Sequence, residues 1–188
     1  PRTEFSTVTI NNQLSAYEAT KYLINLGHND IAHLAGNLKI KNAKDRLEGF
    51  KKAIKESGLS YQQELVIEGD YSRESGYKQM TSLLKKSQRP SAVFVANDLM
   101  AIGAYEAIFD AGLQIPEDIS IIGHDNIELS SVIRPNLTTI NQPKYKLGKS
   151  AVEILIAEIE DELDNCQDIV LNPKLVMRDS TRRLRDNE

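Results

Sequence analysis

The sequence predicts an α/β fold with a mainly parallel sheet flanked by helices, and three observations support this prediction. Short apolar segments alternate along the chain with longer segments whose apolar residues repeat at helical spacing. The segment Val93 to Ala96 is apolar at every residue, which is typical of a parallel strand covered on both faces. Polar side chains follow the strand segments directly, and in open α/β sheets that edge borders the ligand crevice.

Composition and charge exclude several classes of protein. The chain has 188 residues, of which 40% are hydrophobic and 27% charged, and this suffices for one good-sized domain or two small ones. Its net charge of -4 argues against a surface for duplex DNA. The single Cys166 can form neither an internal disulfide nor a metal site by itself, so we expect no metal and no other cofactor. No signal peptide or membrane-spanning apolar run is evident, so we expect a cytoplasmic chain without a membrane partner.

The first half of the chain predicts strands and helices in strict alternation. The segments are a strand at 8–10, a helix ended by Gly27, a strand at 31–35, a loop at 36–42, a helix at 43–57 ended by Gly58, a strand at 65–67, and a helix capped by Ser72. The inner side of this last helix is expected to carry Tyr77, Met80, Leu83 and Leu84. Arg46 falls in the first turn of its helix. A cation there opposes the helix dipole, so we expect an anionic or polar partner to hold it.

The second half continues the pattern and adds one unusual helix. After the strand at 93–96 comes a helix that is capped by Asn97 or Asp98 and ended by Gly112. Its apolar residues near one stripe are Leu99, Ile102, Ala104, Ala107 and Ile108. The segments that follow are a strand at 119–122, a helical turn after Asn126, a strand at 137–140, a helix at 145–163, and short strands at 169–171 and 175–177. Apolar residues of the helix at 145–163 cover more than one face, so we expect it to be buried on more than one side. The charged tail at 182–188 is expected to fray.

The residues after the strands form a set suited to binding rather than to catalysis. The set comprises the loop at 37–42, Tyr71, Asn97, Asp98, Asp125, Asn126, Asn141 and Gln142, together with Arg46. A carboxylate, a guanidinium and several amides can bond hydroxyl groups from several directions, while an aromatic ring covers an apolar face. The sequence contains no GxSxG, HExxH, Walker or GxGxxG motif, and we interpret His124 as a residue that fills space before a turn. We therefore expect a protein that is not an enzyme.

Six segments of this chain resemble one family of bacterial regulators. They read HLAGNLKIKNAKDRLEGFKKAIKESGL, EGDYSRESGY, RPSAVFVANDLMAIGAYEAI, GLQIPEDISIIGHDN, RPNLTTINQP and LVMRDST. In order and spacing they are similar to the effector-binding core of the lactose-repressor family. The resemblance implies a two-lobed fold like that of periplasmic sugar-binding proteins, with a small-molecule effector, expected to be a sugar, held between the lobes. It also implies a homodimer that binds operator DNA only through a helix-turn-helix domain absent from this chain.

The resemblance assigns roles to individual positions. Arg46, Asn97 and Asp125 are expected to contact the effector, Tyr71 to line the pocket, and Asn42 and Gln142 to be further contacts. Ile102 and Ile133 are expected to lie toward the dimer interface. Residues 11–142 and 169–181 would form the C-terminal effector-binding lobe. The helix within 143–168 would belong to an N-terminal lobe that is otherwise missing, and 182–188 would be a charged tail.

Two alternative functions remain open from the sequence. A periplasmic sugar-binding protein of a transporter shares the fold, and an upstream signal peptide would identify it. An α/β enzyme could use Asp125 or Asp98, but the sequence offers neither residue a second catalytic partner. Within the family, we expect a sugar rather than a purine because Ile40 stands where the purine-repressor branch carries a polar or basic group.

Overall fold

The computed structural model describes residues 5–87, 89–160, 162–163 and 165–184 and shows strands and helices in alternation. In chain order the elements are β1 (Thr7–Ile10), α1 (Asn12–Asn25), β2 (Ile31–Ala35), α2 (Lys41–Glu56), β3 (Val66–Glu68), α3 (Arg73–Leu84), β4 (Ala92–Val95), α4 (Asp98–Asp110), β5 (Ser120–Asp125), β6 (Thr138–Asn141), α5 (Lys144–Ile159), β7 (Asp168–Leu171) and β8 (Lys174–Val176). Within the described residues, no helix combines the length and apolarity needed to cross a membrane. The α/β prediction is confirmed.

The central sheet has six strands in the order β3-β2-β4-β5-β6-β8. All neighbouring pairs are parallel except β6 and β8, which are antiparallel. Strands β2 and β4 are buried at every residue. For β4, the apolar composition of Val93 to Ala96 predicted this burial. Strands β1 and β7 pair with each other in a separate two-stranded parallel sheet.

Helices cover both faces of the central sheet. One core cluster joins α1 and α2 to the sheet around Leu23 and Phe50, and the other joins α3 and α4 around Met80 and Ile108. Gly103 allows α3 and α4 to approach closely, because a Cβ at this position would overlap the backbone of α3. The sheet is therefore held between close-packed layers of helices.

Helix boundaries follow the predicted capping residues. The Ser72 side chain accepts a hydrogen bond from Ser75 N, and Asn97 accepts one from Met100 N. Gly27, Gly58 and Gly112 adopt positive φ values of 93°, 72° and 73°, which is why α1, α2 and α4 end there.

Three local predictions are wrong. Helix α2 begins at Lys41, so Asn42 lies in its first turn rather than in a loop, and Arg46 lies in the second turn. Strand β5 extends to Asp125, beyond the predicted end at residue 122. The predicted inner stripes of α3 and α4 each include an exposed residue, since Tyr77 is 37% and Leu99 43% exposed.

The long helix α5 also differs from its prediction. It ends at Ile159, and none of its residues is buried. Val152 is 55% and Ile159 73% exposed. The helix lies beside β1, outside the layers that cover the six-stranded sheet. Its broad apolar surface therefore lacks the cover that the sequence led us to expect.

The last segments of the chain form strand pairs and hydrogen bonds that differ from the prediction. Strand β7 pairs with β1, so the chain rejoins the six-stranded sheet at Lys174 rather than at residue 169. Fraying from residue 182 is contradicted, because Leu184 N donates to Leu26 O at 2.8 Å and Arg182 N donates to Ser120 Oγ at 3.1 Å. Residues 185–188 of the predicted tail lie outside the described residues. The assignment of segments to two lobes stays a prediction.

Candidate functional site

The topology creates a crevice between the exits of β2 and β4. From β2 the chain passes through α2 to β3 on one side, and it then returns through α3 to β4 on the other side. Such a switch point is where open α/β sheets bind ligands. The sequence-predicted residues line this edge in strand order: Tyr71 follows β3, Arg46 lies in the helix after β2, Asn97 follows β4, Asp125 ends β5, and Gln142 follows β6.

Arg46 spans the switch point and is only 5% exposed. Its Nε donates to Asn12 Oδ1 at 2.8 Å, and its Nη1 donates to the carbonyl oxygen of Ala96 at the end of β4. The polar partner expected for this cation is thus confirmed. Burial lowers the pKa of Arg46, while the nearby charge of Asp125 raises it, and an arginine in this setting stays protonated. No contact among the described residues uses Nη2, so its N–H groups remain available to a ligand.

Asp125 supplies the opposite charge. Its Oδ1 accepts hydrogen bonds from His124 Nδ1 at 2.9 Å and from Gln142 Nε2. Burial raises the pKa of this carboxyl, but the His124 and Gln142 bonds and the Arg46 charge outweigh burial, so the net shift is downward and Asp125 is ionised at neutral pH. Within the described part of the chain, Oδ2 accepts no hydrogen bond and is free to accept one from a ligand.

His124 fills space, as expected, and also links Asp125 to α1. It is fully buried, and its Nε2 lies 3.2 Å from Ser15 Oγ. Burial lowers the pKa of His124 to about 4, so the ring is neutral at pH 7. Because an ionised Asp125 can only accept, Nδ1 carries the ring hydrogen and Nε2 is the acceptor. A buried neutral imidazole in this position orients the carboxylate and is shielded from any substrate.

Tyr71 and Asn97 are joined on the other side of the crevice. Asn97 Nδ2 donates to the carbonyl oxygen of Tyr71 at 3.0 Å, while Asn97 Oδ1 caps α4 through Met100 N at 2.9 Å. The Tyr71 ring lies over Gly36, where a Cβ would overlap it. Asn97 is therefore largely engaged in holding the backbone of Tyr71, and one of its N–H groups remains for a ligand.

Backbone strain is concentrated at this edge. Among the described residues, the non-glycine residues with positive φ are Tyr71 at 72°, Asp125 at 114° and Asn126 at 50°. Such conformations cost on the order of 1–3 kcal/mol each and cluster at functional sites. All three belong to the strand exits that line the crevice, which favours a binding role for this edge.

The remaining predicted residues are Asn42, Ile102 and Ile133. Asn42 is exposed in the first turn of α2, one turn before Arg46 on the same helix face. Ile102 is partly buried in the middle of α4, and Ile133 packs partly buried against the core cluster of α3 and α4. The interface role of these two isoleucines stays a prediction.

Sequence reasoning missed two residues of the site, Asn12 and Gly36. The sequence patterns assign no role to Asn12, yet it is 3% exposed and accepts a hydrogen bond from Arg46. The expectation that Arg46 needs a partner pointed to such a residue without identifying it. Gly36 was one residue of a loop, and no local signal indicated that an aromatic ring would cover it.

A depression lies at the opposite edge of the sheet. It has a volume of about 450 Å³ and is lined by residues that include Arg89, Ser91, Asp118 and Ile119. These residues precede β4 and β5, so the depression contains none of the strand-exit side chains. The candidate functional site is the edge at the carboxyl ends of the strands, where Arg46, Asp125 and the backbone strain coincide.

Comparison with known proteins identifies the family. A family model described as a periplasmic binding protein-like domain matches residues 20–181. The ribose operon repressor of Haemophilus influenzae is 43% identical over 175 residues, covering 93% of this chain and 53% of the relative. The HTH-type transcriptional repressor PurR of Pasteurella multocida is 47% identical over 166 residues, covering 88% of this chain and 50% of the relative. The chain spans about half the length of the curated relatives it matches.

A solved structure agrees with this similarity. The structure is that of a LacI family transcriptional regulator from Enterococcus faecium with bound ribose. It matches with a TM-score of 0.88 and 32% sequence identity, over 98% of this chain and 69% of the other. The sheet topology, the site at the strand exits and these relatives agree, and the chain belongs to the LacI family of transcriptional regulators.

Proposed function

We propose that this chain is the effector-sensing part of a cytoplasmic LacI-family repressor, and that its effector is a neutral polyhydroxylated molecule, a sugar. The observation that carries the proposal is that Arg46 and Asp125 lie at the same edge of the sheet, close enough for each charge to act on the pKa of the other. Each is fixed through part of its side chain, and each keeps a free hydrogen-bonding edge, Nη2 on Arg46 and Oδ2 on Asp125.

The chemistry of this pair selects the class of ligand. A donor fork beside a carboxylate acceptor suits adjacent hydroxyl groups, which both donate and accept. The charges of Arg46 and Asp125 compensate each other, so this pair by itself supplies no excess of positive charge for a phosphorylated ligand. The half-buried ring of Tyr71 offers an apolar surface to one face of a sugar, and Gln142 can hydrogen-bond at the opposite side.

The regulatory role follows from the relatives and from the charge of the chain. Both curated relatives described above are repressors by name, and the chain itself has a net charge of -4. We infer that operator DNA is bound by a separate helix-turn-helix domain, that the protein works as a homodimer with Ile102 and Ile133 near the interface, and that it catalyses no reaction. Effector binding at the crevice would shift the affinity of the DNA-binding domain for its operator.

A thermal-shift screen of the complete gene product tests this function. The panel contains D-ribose, D-galactose, cellobiose, hypoxanthine and inorganic phosphate, each well above its expected dissociation constant so that binding raises Tm by mass action. We expect a sugar to raise Tm, and we expect the same sugar to change operator binding in a gel-shift assay. Stabilisation by hypoxanthine or phosphate alone would contradict a sugar effector, and unchanged operator binding would contradict the regulatory role.

A further inference from the structure

The first turn of α1 contacts Arg46 directly and reaches Asp125 through His124. Asn12 Oδ1 accepts the Nε–H of Arg46 at 2.8 Å. Three residues later, Ser15 Oγ lies 3.2 Å from the ring of His124, whose other nitrogen donates to Asp125. Asn12 is 3% exposed and Ser15 is fully buried, so neither can itself touch an effector.

The same turn and its N-cap residue Asn11 are hydrogen-bonded to the two-stranded β1–β7 sheet. Asn11 N donates to the carbonyl oxygen of Leu171 in β7 at 2.9 Å, and Asn12 Nδ2 donates to the carbonyl oxygen of Ile10 in β1 at 3.3 Å. Ser15 Oγ also lies 2.7 Å from the carbonyl oxygen of Asn12, so its single hydrogen is donated either to that oxygen, closing the turn, or to His124 Nε2. The turn is therefore a junction between the two-stranded sheet and the effector side of the six-stranded sheet.

We propose that Asn12 and Ser15 are positioning residues of the effector site, and that the first turn of α1 couples the β1–β7 sheet to Arg46 and Asp125 together. This inference rests on the proposed function, in which those two charges hold the effector. A displacement of β1 would move the acceptor of Arg46 and the neighbour of His124 in concert. By linkage, an effector that holds both charges in place favours one position of the β1–β7 sheet.

Two measurements by NMR test the positioning without any ligand. The first is the hydrogen-exchange rate of Arg46 Nε–H, and the second is the ¹⁵N shift pair of the His124 ring, which reports its tautomer. In the parent protein we expect a protected Nε–H and a hydrogen on His124 Nδ1. Asn12→Ala should accelerate Nε–H exchange by about tenfold or more, since a buried hydrogen bond to a charged group is lost. Asn12→Asp keeps the acceptor and should keep the protection.

Matched variants separate positioning from general damage. Gln13→Ala removes an exposed side chain from the same turn and should leave both signals as in the parent. Ser15→Ala should shift His124 Nε2 while leaving Arg46 Nε–H protected. Rapid Nε–H exchange in the parent, or parent-like exchange in Asn12→Ala, would overturn the positioning role. The parent measurement decides the question even if Asn12→Ala does not fold.

The coupling is tested with D-ribose, the sugar bound by the Enterococcus faecium relative. If ribose binds, backbone amides of β1 and β7 should exchange more slowly in its presence. Asn12→Asp should weaken this effect, because it lacks the Nδ2 donor to Ile10. Unchanged exchange in β1 and β7 at saturating ribose would overturn the coupling. If ribose does not bind, the same exchange measurement is made with whichever sugar of the panel raises Tm; binding by none of them would contradict the proposed function, while the ligand-free measurements still decide the positioning role.

Discussion

The ring of Tyr71 lies directly over Gly36, at a distance that no other residue at position 36 would allow. Gly36 directly follows β2, and Tyr71 follows β3. These two strands are neighbours in the sheet, so their exits together form one wall of the crevice. Tyr71 reaches this position with a φ of 72°, and its carbonyl oxygen is held by Asn97. The aromatic wall is thus set by a glycine 35 residues away in the sequence.

Gly36→Ala should displace the Tyr71 ring and weaken effector binding about threefold to tenfold, or roughly 1 kcal/mol. The free energy of unfolding should change by less than about 1 kcal/mol, because the ring is the mobile end of a partly exposed side chain and can move aside. Calorimetry with the effector and urea unfolding check the two parts. Gly148→Ala is the matched control, since a Cβ there meets nothing within 4 Å. If Gly36→Ala binds the effector with unchanged affinity, the Tyr71 ring is not part of the binding site.

Asp98→Ala should destabilise the fold by about 2–4 kcal/mol in urea unfolding at pH 7. The fully buried Asp98 accepts from Ile127 N at 2.9 Å and from Thr139 Oγ1 at 2.6 Å, and the substitution leaves both donors without a partner. Asp98→Asn retains one acceptor and should lose less. Equal losses in the two variants would show that the side-chain volume, rather than the hydrogen bonds, matters at this position.

Stability should fall by about 2–3 kcal/mol as the pH is lowered from 7 to 5. Burial lowers the pKa values of His33 and His124 to about 4, below the ordinary value near 6.5. Between pH 6.5 and pH 4 these two histidines are protonated in the unfolded chain but neutral in the folded chain. Their contribution to the free energy of unfolding is therefore fully present above pH 6.5 and is lost as the pH falls toward 4. Asp98 acts in the opposite sense, because burial raises its pKa to about 6.

The opposing contribution of Asp98 gives this pH dependence an internal control. Protonation of Asp98 in the folded state stabilises the protein between about pH 6 and pH 4, so removing that group should steepen the loss. Urea unfolding of Asp98→Asn should show a decrease from pH 7 to pH 5 that is larger by about 1 kcal/mol than in the parent. A pH-independent free energy of unfolding in the parent would contradict the assignment of the buried histidines.

The isolated 188-residue chain should self-associate through the exposed apolar surface of α5, which includes Val152, Ile156 and Ile159. Ile159→Lys should shift sedimentation toward the monomer without lowering the free energy of unfolding, because the side chain is 73% exposed. Leu129→Lys, on a different exposed surface, should leave association unchanged. A parent chain that sediments as a monomer at all concentrations would contradict this prediction.

The sequence predicted correctly that polar side chains from several strand exits share one edge, because parallel strands bring their carboxyl ends together whatever the details of packing. It also predicted that Arg46 needs a polar partner. It could not identify Asn12 as that partner, because the two residues are 34 positions apart and only the packing of α1 on α2 brings them together. The prediction that α5 is buried was wrong for a related reason. An apolar pattern predicts that a surface is covered, and only the tertiary structure shows whether the covering segment is present.

The most direct test of the site is calorimetry with the sugar that stabilises the complete protein, comparing the parent with Arg46→Lys and Asp125→Asn. Both variants keep the approximate volume of the side chain while removing the donor fork or the charged acceptor. We expect each to weaken binding by about one to two decades, as the loss of a charged hydrogen-bonding partner predicts. Lys44→Ala, which removes an exposed side chain of the same helix, should bind like the parent. If Arg46→Lys and Asp125→Asn both bind the sugar with parental affinity, the effector does not lie between these two residues.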